Sequence, residues 1–92
     1  YSKMADLAYK PIRGRMAEAL LLLHNAFKDD DDNPMGVITI SREDLASLVG
    51  TVKETTIRIL KDFKELNYIS TRRTDIMINN IHGLVKISEL YD

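Results

Sequence analysis

Ninety-two residues, 45% hydrophobic and 29% charged, suit one small domain that buries about 60 to 65% of the surface its unfolded chain would expose. The absence of cysteine excludes disulfides and thiolate metal sites and fits the cytoplasm, and the longest apolar run, the five residues Ala19 to Leu23, is too short to cross a membrane. The net charge of -1 hides a basic middle: Lys/Arg stand to Asp/Glu as five to six in residues 1–40, seven to five in 41–74 and one to three in 75–92, so a polyanionic partner is not excluded.

Pro11 can open a helix, and Ile12, Met16, Leu20, Leu23 and Phe27 then recur at helical spacing, predicting a first helix over about 12–28. Four aspartates, Asn33, Pro34 and Gly36 make 29–36 a surface loop. The β-branched run Val37 to Ile40 predicts one short strand. Ser41 followed by Asp44 reads as a helix cap, so a short helix is expected over 42–49, closed by Gly50 in left-handed backbone space. Thr51 and Glu54 repeat the capping signature and predict a second helix over about 52–66.

Two helices joined through Gly50 form a helix-turn-helix by spacing, and the small Ala46 suits the place where their backbones approach. On the second helix Val52, Thr56, Ile59, Phe63 and Leu66 make an inward face, while Glu54, Arg58, Lys61 and Glu65 make an outward one. Lys53, Glu54 and Arg58 lie at the end of that helix from which a recognition helix reads bases. Segments 68–71 and 76–78 predict two strands around Arg72, Arg73, Thr74 and Asp75, a hairpin wing whose arginines suit a phosphate backbone. Leu84, Ile87 and Leu90 predict a closing helix over 81–91. The expected fold is α+β: a winged helix-turn-helix, in which a helical bundle carries a small antiparallel β-sheet and a hairpin wing.

The run ITISREDLASLVGTVKETTIRIL, Ile38 to Leu60, resembles the helix-turn-helix signature of the Crp/Fnr family of bacterial transcription regulators, and GRMAEALL, Gly14 to Leu21, resembles that family's first DNA-binding-domain helix. The resemblance covers residues 11–90. It implies sequence-specific binding of double-stranded DNA, with helix 52–66 in the major groove and the wing 69–78 on the backbone. Lys53, Glu54 and Arg58 fall at base-reading positions. Ser41, Arg42, Thr51 and Thr55 fall where phosphate contacts are common, and Lys61, Arg72 and Arg73 join that set on their charge and placement. The family also implies a sensor barrel and a long dimerisation helix ahead of this domain, with residues 1–10 as the end of that helix or a linker and 11–92 as the DNA-binding domain. A homodimer is implied for a full-length protein, with RNA polymerase as a further partner. Two departures stand out: Thr56 occupies a position that is usually aliphatic, and the wing tip lacks the family's common glycine.

Competing readings come from the same residues. Glu54 could serve only to cap its helix and pair with Arg58, and Arg72 and Arg73 could merely blunt a hairpin edge. A winged-helix protein-interaction module or an RNA-binding winged helix are the alternatives at the level of function. An enzyme is not expected. Asp29, Asp31 and Asn33 begin like a calcium loop, but Pro34 and Ile40 stand where Gly and Glu are needed. His24 and His82 have no partner at ligand spacing, and no nucleophile, P-loop or dinucleotide motif occurs. No metal or cofactor is expected, and these residues do not encode the effector that a sensor would take.

Overall fold

A computed structural model describes the backbone of residues 2–90 and the side chains of residues 12–89. The elements run α1 (Ser2–Lys28), β1 (Ile38–Thr39), α2 (Arg42–Val49), α3 (Lys53–Glu65), β2 (Ile69–Arg72), β3 (Asp75–Ile78) and α4 (Ile81–Leu90). The α+β expectation holds: four helices accompany one antiparallel sheet of order β1-β3-β2. None of the described helices is long and apolar enough to cross a membrane.

The long first helix differs from its predicted start. α1 is continuous from Ser2, so Pro11 sits inside it rather than at its first turn. Proline lacks the N–H that would bond the carbonyl four residues back, yet one missing bond leaves the helix able to continue on both sides. Met16, Ala17 and Leu20 are fully buried, with His24 nearly so. Met16, Ala17 and Leu20 meet Ile38, Leu45, Ile59, Phe63, Ile69, Ile76 and Leu84 in one core fed by every element.

His24 also fixes the loop that follows. Its Nδ1 lies 3.1 Å from the Gly36 carbonyl, so that nitrogen carries the hydrogen and donates. Gly36 has φ +66, and a Cβ there would fall 2.6 Å from the same imidazole, so only glycine meets both the backbone geometry and the close approach. The strand expected over 37–40 contracts to Ile38–Thr39. At its first residue the cause is local: the Asn33 side chain accepts from the Val37 N–H at 3.1 Å and donates to the Val37 carbonyl at 2.8 Å, taking both backbone groups that a strand partner would use.

β2 and β3 form a hairpin in register Ile69↔Ile78 to Arg72↔Asp75. The turn is therefore Arg73–Thr74 alone, shorter than the four residues expected, and Arg72 lies in the strand. Arg73 takes φ +58, the left-handed conformation that the missing glycine would otherwise supply. Left-handed backbone costs a side-chain-bearing residue about 1 to 2 kcal/mol, partly offset in a glycine variant by the greater entropy of its unfolded chain. Arg73→Gly should therefore raise stability by about 0.5 kcal/mol, seen as a rise of roughly 2 to 4 °C in Tm. A lowered Tm would show that contacts of the arginine outweigh the strain.

The closing helix α4 begins at Ile81 as predicted, its start capped by the Asn80 Oδ1, which accepts from the Gly83 N–H at 3.0 Å. Leu84 is buried and Ile87 half-buried, while the Leu90 side chain and Tyr91 fall outside the described residues.

Candidate nucleic-acid interface

α2 forms over the predicted residues because both of its ends are specified by single side chains. The Ser41 Oγ accepts from the Asp44 N–H at 3.0 Å, and Gly50 closes the helix at φ +88 with its N–H on the Ala46 carbonyl. Ala46 is buried, and its carbonyl also accepts from Thr51 at 2.9 Å, so the turn into α3 is tied back onto the small residue.

α3 begins differently from expectation. Val52, not Thr51, is its N-cap, and no side chain caps it. A capping box needs its acid at the third helical position, and Glu54 is at the second. Glu54 still places its charge in the first turn, beside the positive helix end. Val52 is consequently exposed, as is Leu66 at the far end, so neither belongs to the inward face predicted for it. That face consists of Thr56, Ile59, Leu60 and Phe63. Thr56 is fully buried in the position expected to be aliphatic, and its hydroxyl is satisfied by donating to the Val52 carbonyl at 3.1 Å. The helix ends in a left-handed Asn67 at φ +61. Tyr68 N–H donates to the Phe63 carbonyl and Asn67 N–H to that of Lys64, a Schellman closure that aims the chain into β2.

With the core face thus fixed, Lys53, Glu54, Arg58 and Lys61 are exposed on the opposite side of α3. Glu54 and Arg58 form no ion pair with each other, and among the described residues neither has a hydrogen-bond or ion-pair partner, although the Glu54 charge acts on the neighbouring Lys53. Both purely structural roles weighed for Glu54, the cap with Thr51 and the pair with Arg58, are absent. Lys53 is engaged: its Nζ lies 2.8 Å from a Glu43 carboxylate oxygen on α2, both side chains being more than half exposed. The hydrogen bond to Glu43, together with that carboxylate's charge, raises the Lys53 ammonium above the ordinary lysine value. Lys53 therefore stays cationic, and its ammonium is held by Glu43.

Among the residues expected on phosphate, Thr51 and Thr55 are half-buried at the start of α3, and Ser41 is half-buried with its oxygen occupied by the α2 cap. Arg72 and Arg73 are exposed on the wing. Arg42 is brought to the wing itself, where its Nη2 donates to the Arg73 carbonyl at 3.1 Å. Arg42 and Lys61 also share a groove of about 200 Å³ with Ile57, Leu60, Lys64 and Thr71. Lys64 and Thr71 were not expected at a site. Lys64 lies three residues beyond Lys61, a spacing that alone could have placed it on the same side, whereas Thr71 joins only through tertiary packing.

These elements, a capped helix-turn-helix followed by a two-stranded wing, define a winged helix-turn-helix domain. The family model described as the Crp-like helix-turn-helix domain matches residues 14–87, and the chain belongs to that family. It is 27% identical over 89 residues to the transcriptional regulator SdrP of Thermus thermophilus, covering 97% of this chain and 44% of that protein. It is 35% identical over 79 residues to the cAMP-activated global transcriptional regulator CRP of Salmonella typhimurium, covering 83% of this chain and 36% of that protein. The chain thus spans less than half the length of either relative. The crystal structure of the catabolite activator protein of Thermus thermophilus superposes on 98% of this chain and 39% of its own, with a TM-score of 0.79 at 23% identity, which shows the shared fold.

Proposed function

We propose that this domain binds double-stranded DNA sequence-specifically as the DNA-binding end of a transcription regulator, with α3 in the major groove and the β2–β3 wing on the phosphate backbone. The observation that carries the reading is the outward face of α3, where Glu54 and Arg58 stand exposed, one helical turn apart, with no hydrogen-bond or ion-pair partner among the described residues, while the opposite face is locked in the core. The Arg58 guanidinium fork matches the O6 and N7 acceptors of guanine, and the Glu54 carboxylate accepts from an exocyclic amino group such as cytosine N4. Lys53 adds a third reading group once it releases Glu43. Ser41, Thr51, Thr55, Lys61, Arg72 and Arg73 serve the backbone and fix the register. Residues 1–10 act as the end of a dimerisation helix in a longer chain, whose homodimer would address two half-sites about one turn of DNA apart, with RNA polymerase as a further partner.

Salt dependence tests the wing directly. Neutralising it as Arg72→Gln with Arg73→Gln should weaken binding about equally on all duplexes and shallow the plot of log affinity against log salt by roughly 1 unit for each phosphate that the wing no longer neutralises. An unchanged slope would take the wing off the DNA, and a preference for single-stranded RNA would replace the reading altogether.

A further inference from the structure

We propose that Arg42 is a positioning residue: its guanidinium fastens the wing turn to the start of α2 and so sets where Arg72 and Arg73 meet the DNA backbone. This rests on the DNA-binding reading and changes the part Arg42 takes in it, from a phosphate contact to the anchor of other phosphate contacts.

The geometry favours the anchor. The Nη2 donates to the Arg73 carbonyl across 31 positions of sequence, and that carbonyl belongs to the residue held at φ +58. A two-residue turn without glycine is under strain, so an outside contact that fixes its backbone selects one turn geometry among several. The other end of the same fork, Nη1, is shielded from solvent and has no hydrogen-bond partner, so it is poorly placed to reach a phosphate while Nη2 holds the wing. Among the described residues no acid forms an ion pair with the guanidinium, and the neighbouring Glu43 is paired with Lys53. Two further contacts hold the turn and the first residue of β3 from the segment before α2. Ile40 N–H donates to the Thr74 carbonyl at 3.1 Å, and the Thr39 hydroxyl donates to the Asp75 carboxylate at 2.8 Å. The segment that enters the helix-turn-helix is therefore also the segment that holds the wing, and a guanidinium fork supplies the directional bond that an ammonium does not.

A double-mutant cycle on DNA affinity separates the two parts, with amide hydrogen exchange of the free domain as a second readout. Arg42→Gln should weaken binding about as much as neutralising Arg72 and Arg73 together, and should cost less than about twofold once those arginines are already glutamine. Arg42→Lys, which keeps the charge and removes the fork, should behave like Arg42→Gln. In the free protein, amides of β2 and β3 should exchange several-fold faster in Arg42→Gln while those of α1 keep their protection. Additive effects in the cycle would overturn the proposal and return Arg42 to direct phosphate contact, and so would unchanged exchange in the wing. Should the unaltered domain bind no duplex, the DNA reading fails, and the exchange experiment still decides whether Arg42 holds the wing.

Discussion

Replacing Arg58 by alanine is expected to lower affinity for the preferred duplex by roughly 5- to 150-fold, on the order of 1 to 3 kcal/mol, and to relax preference at one G·C pair. Affinity for random duplex at matched salt should change far less, because non-specific binding depends on phosphate neutralisation, to which one reading side chain adds little. The expectation follows from exposure without engagement: Arg58 is on the open face of α3, and no described residue bonds it. Stability should be nearly untouched, since surface substitutions away from packed or paired groups usually fall within about 0.5 kcal/mol. Equal weakening on preferred and random duplexes would make Arg58 a phosphate contact instead.

The opposite face of the same helix should give the opposite result. Phe63 is fully buried among residues of α1, α2 and the sheet, and truncating such a ring costs about 3 to 5 kcal/mol through reduced apolar burial and the cavity left behind. A domain of this length has only about 5 to 14 kcal/mol of stability in all, so Phe63→Ala should lose about a fifth or more of its urea midpoint at an unchanged m-value. Where the variant remains folded, its discrimination between preferred and random duplex should persist. A midpoint within a few tenths molar of the parent would place Phe63 outside the core.

Features specified within a few residues were legible in the sequence. Ser41, Asp44 and Gly50 delimit α2 because each acts on backbone groups within four positions of itself, and the periodicity of Thr56, Ile59 and Phe63 fixes which side of α3 is buried. Glu54, Arg58, Arg72 and Arg73 were therefore placed on exposed surfaces by pattern alone. Misreadings arose where two local rules competed. Pro11 suits a helix start but lies inside α1, and Thr51 with Glu54 mimics a capping box that the start at Val52 leaves one residue out of phase. Asn33 removed Val37 from its strand with a side chain that imitates a strand partner. The remainder was hidden for a different reason. The bond of Arg42 to the wing, the pairing of Lys53 with Glu43 and the entry of Thr71 into a groove with Lys61 all join segments distant in sequence, and no periodicity along one chain segment encodes them.

Selection of bound duplexes from a randomised library, at fixed physiological salt, tests the central claim most directly. The domain should enrich a short half-site containing at least one G·C pair, and the same selection with Arg58→Ala should lose the preference at that pair while the flanking positions keep theirs. No enrichment over the starting library by the unaltered domain, with affinity that follows salt alone, would contradict sequence-specific reading by α3.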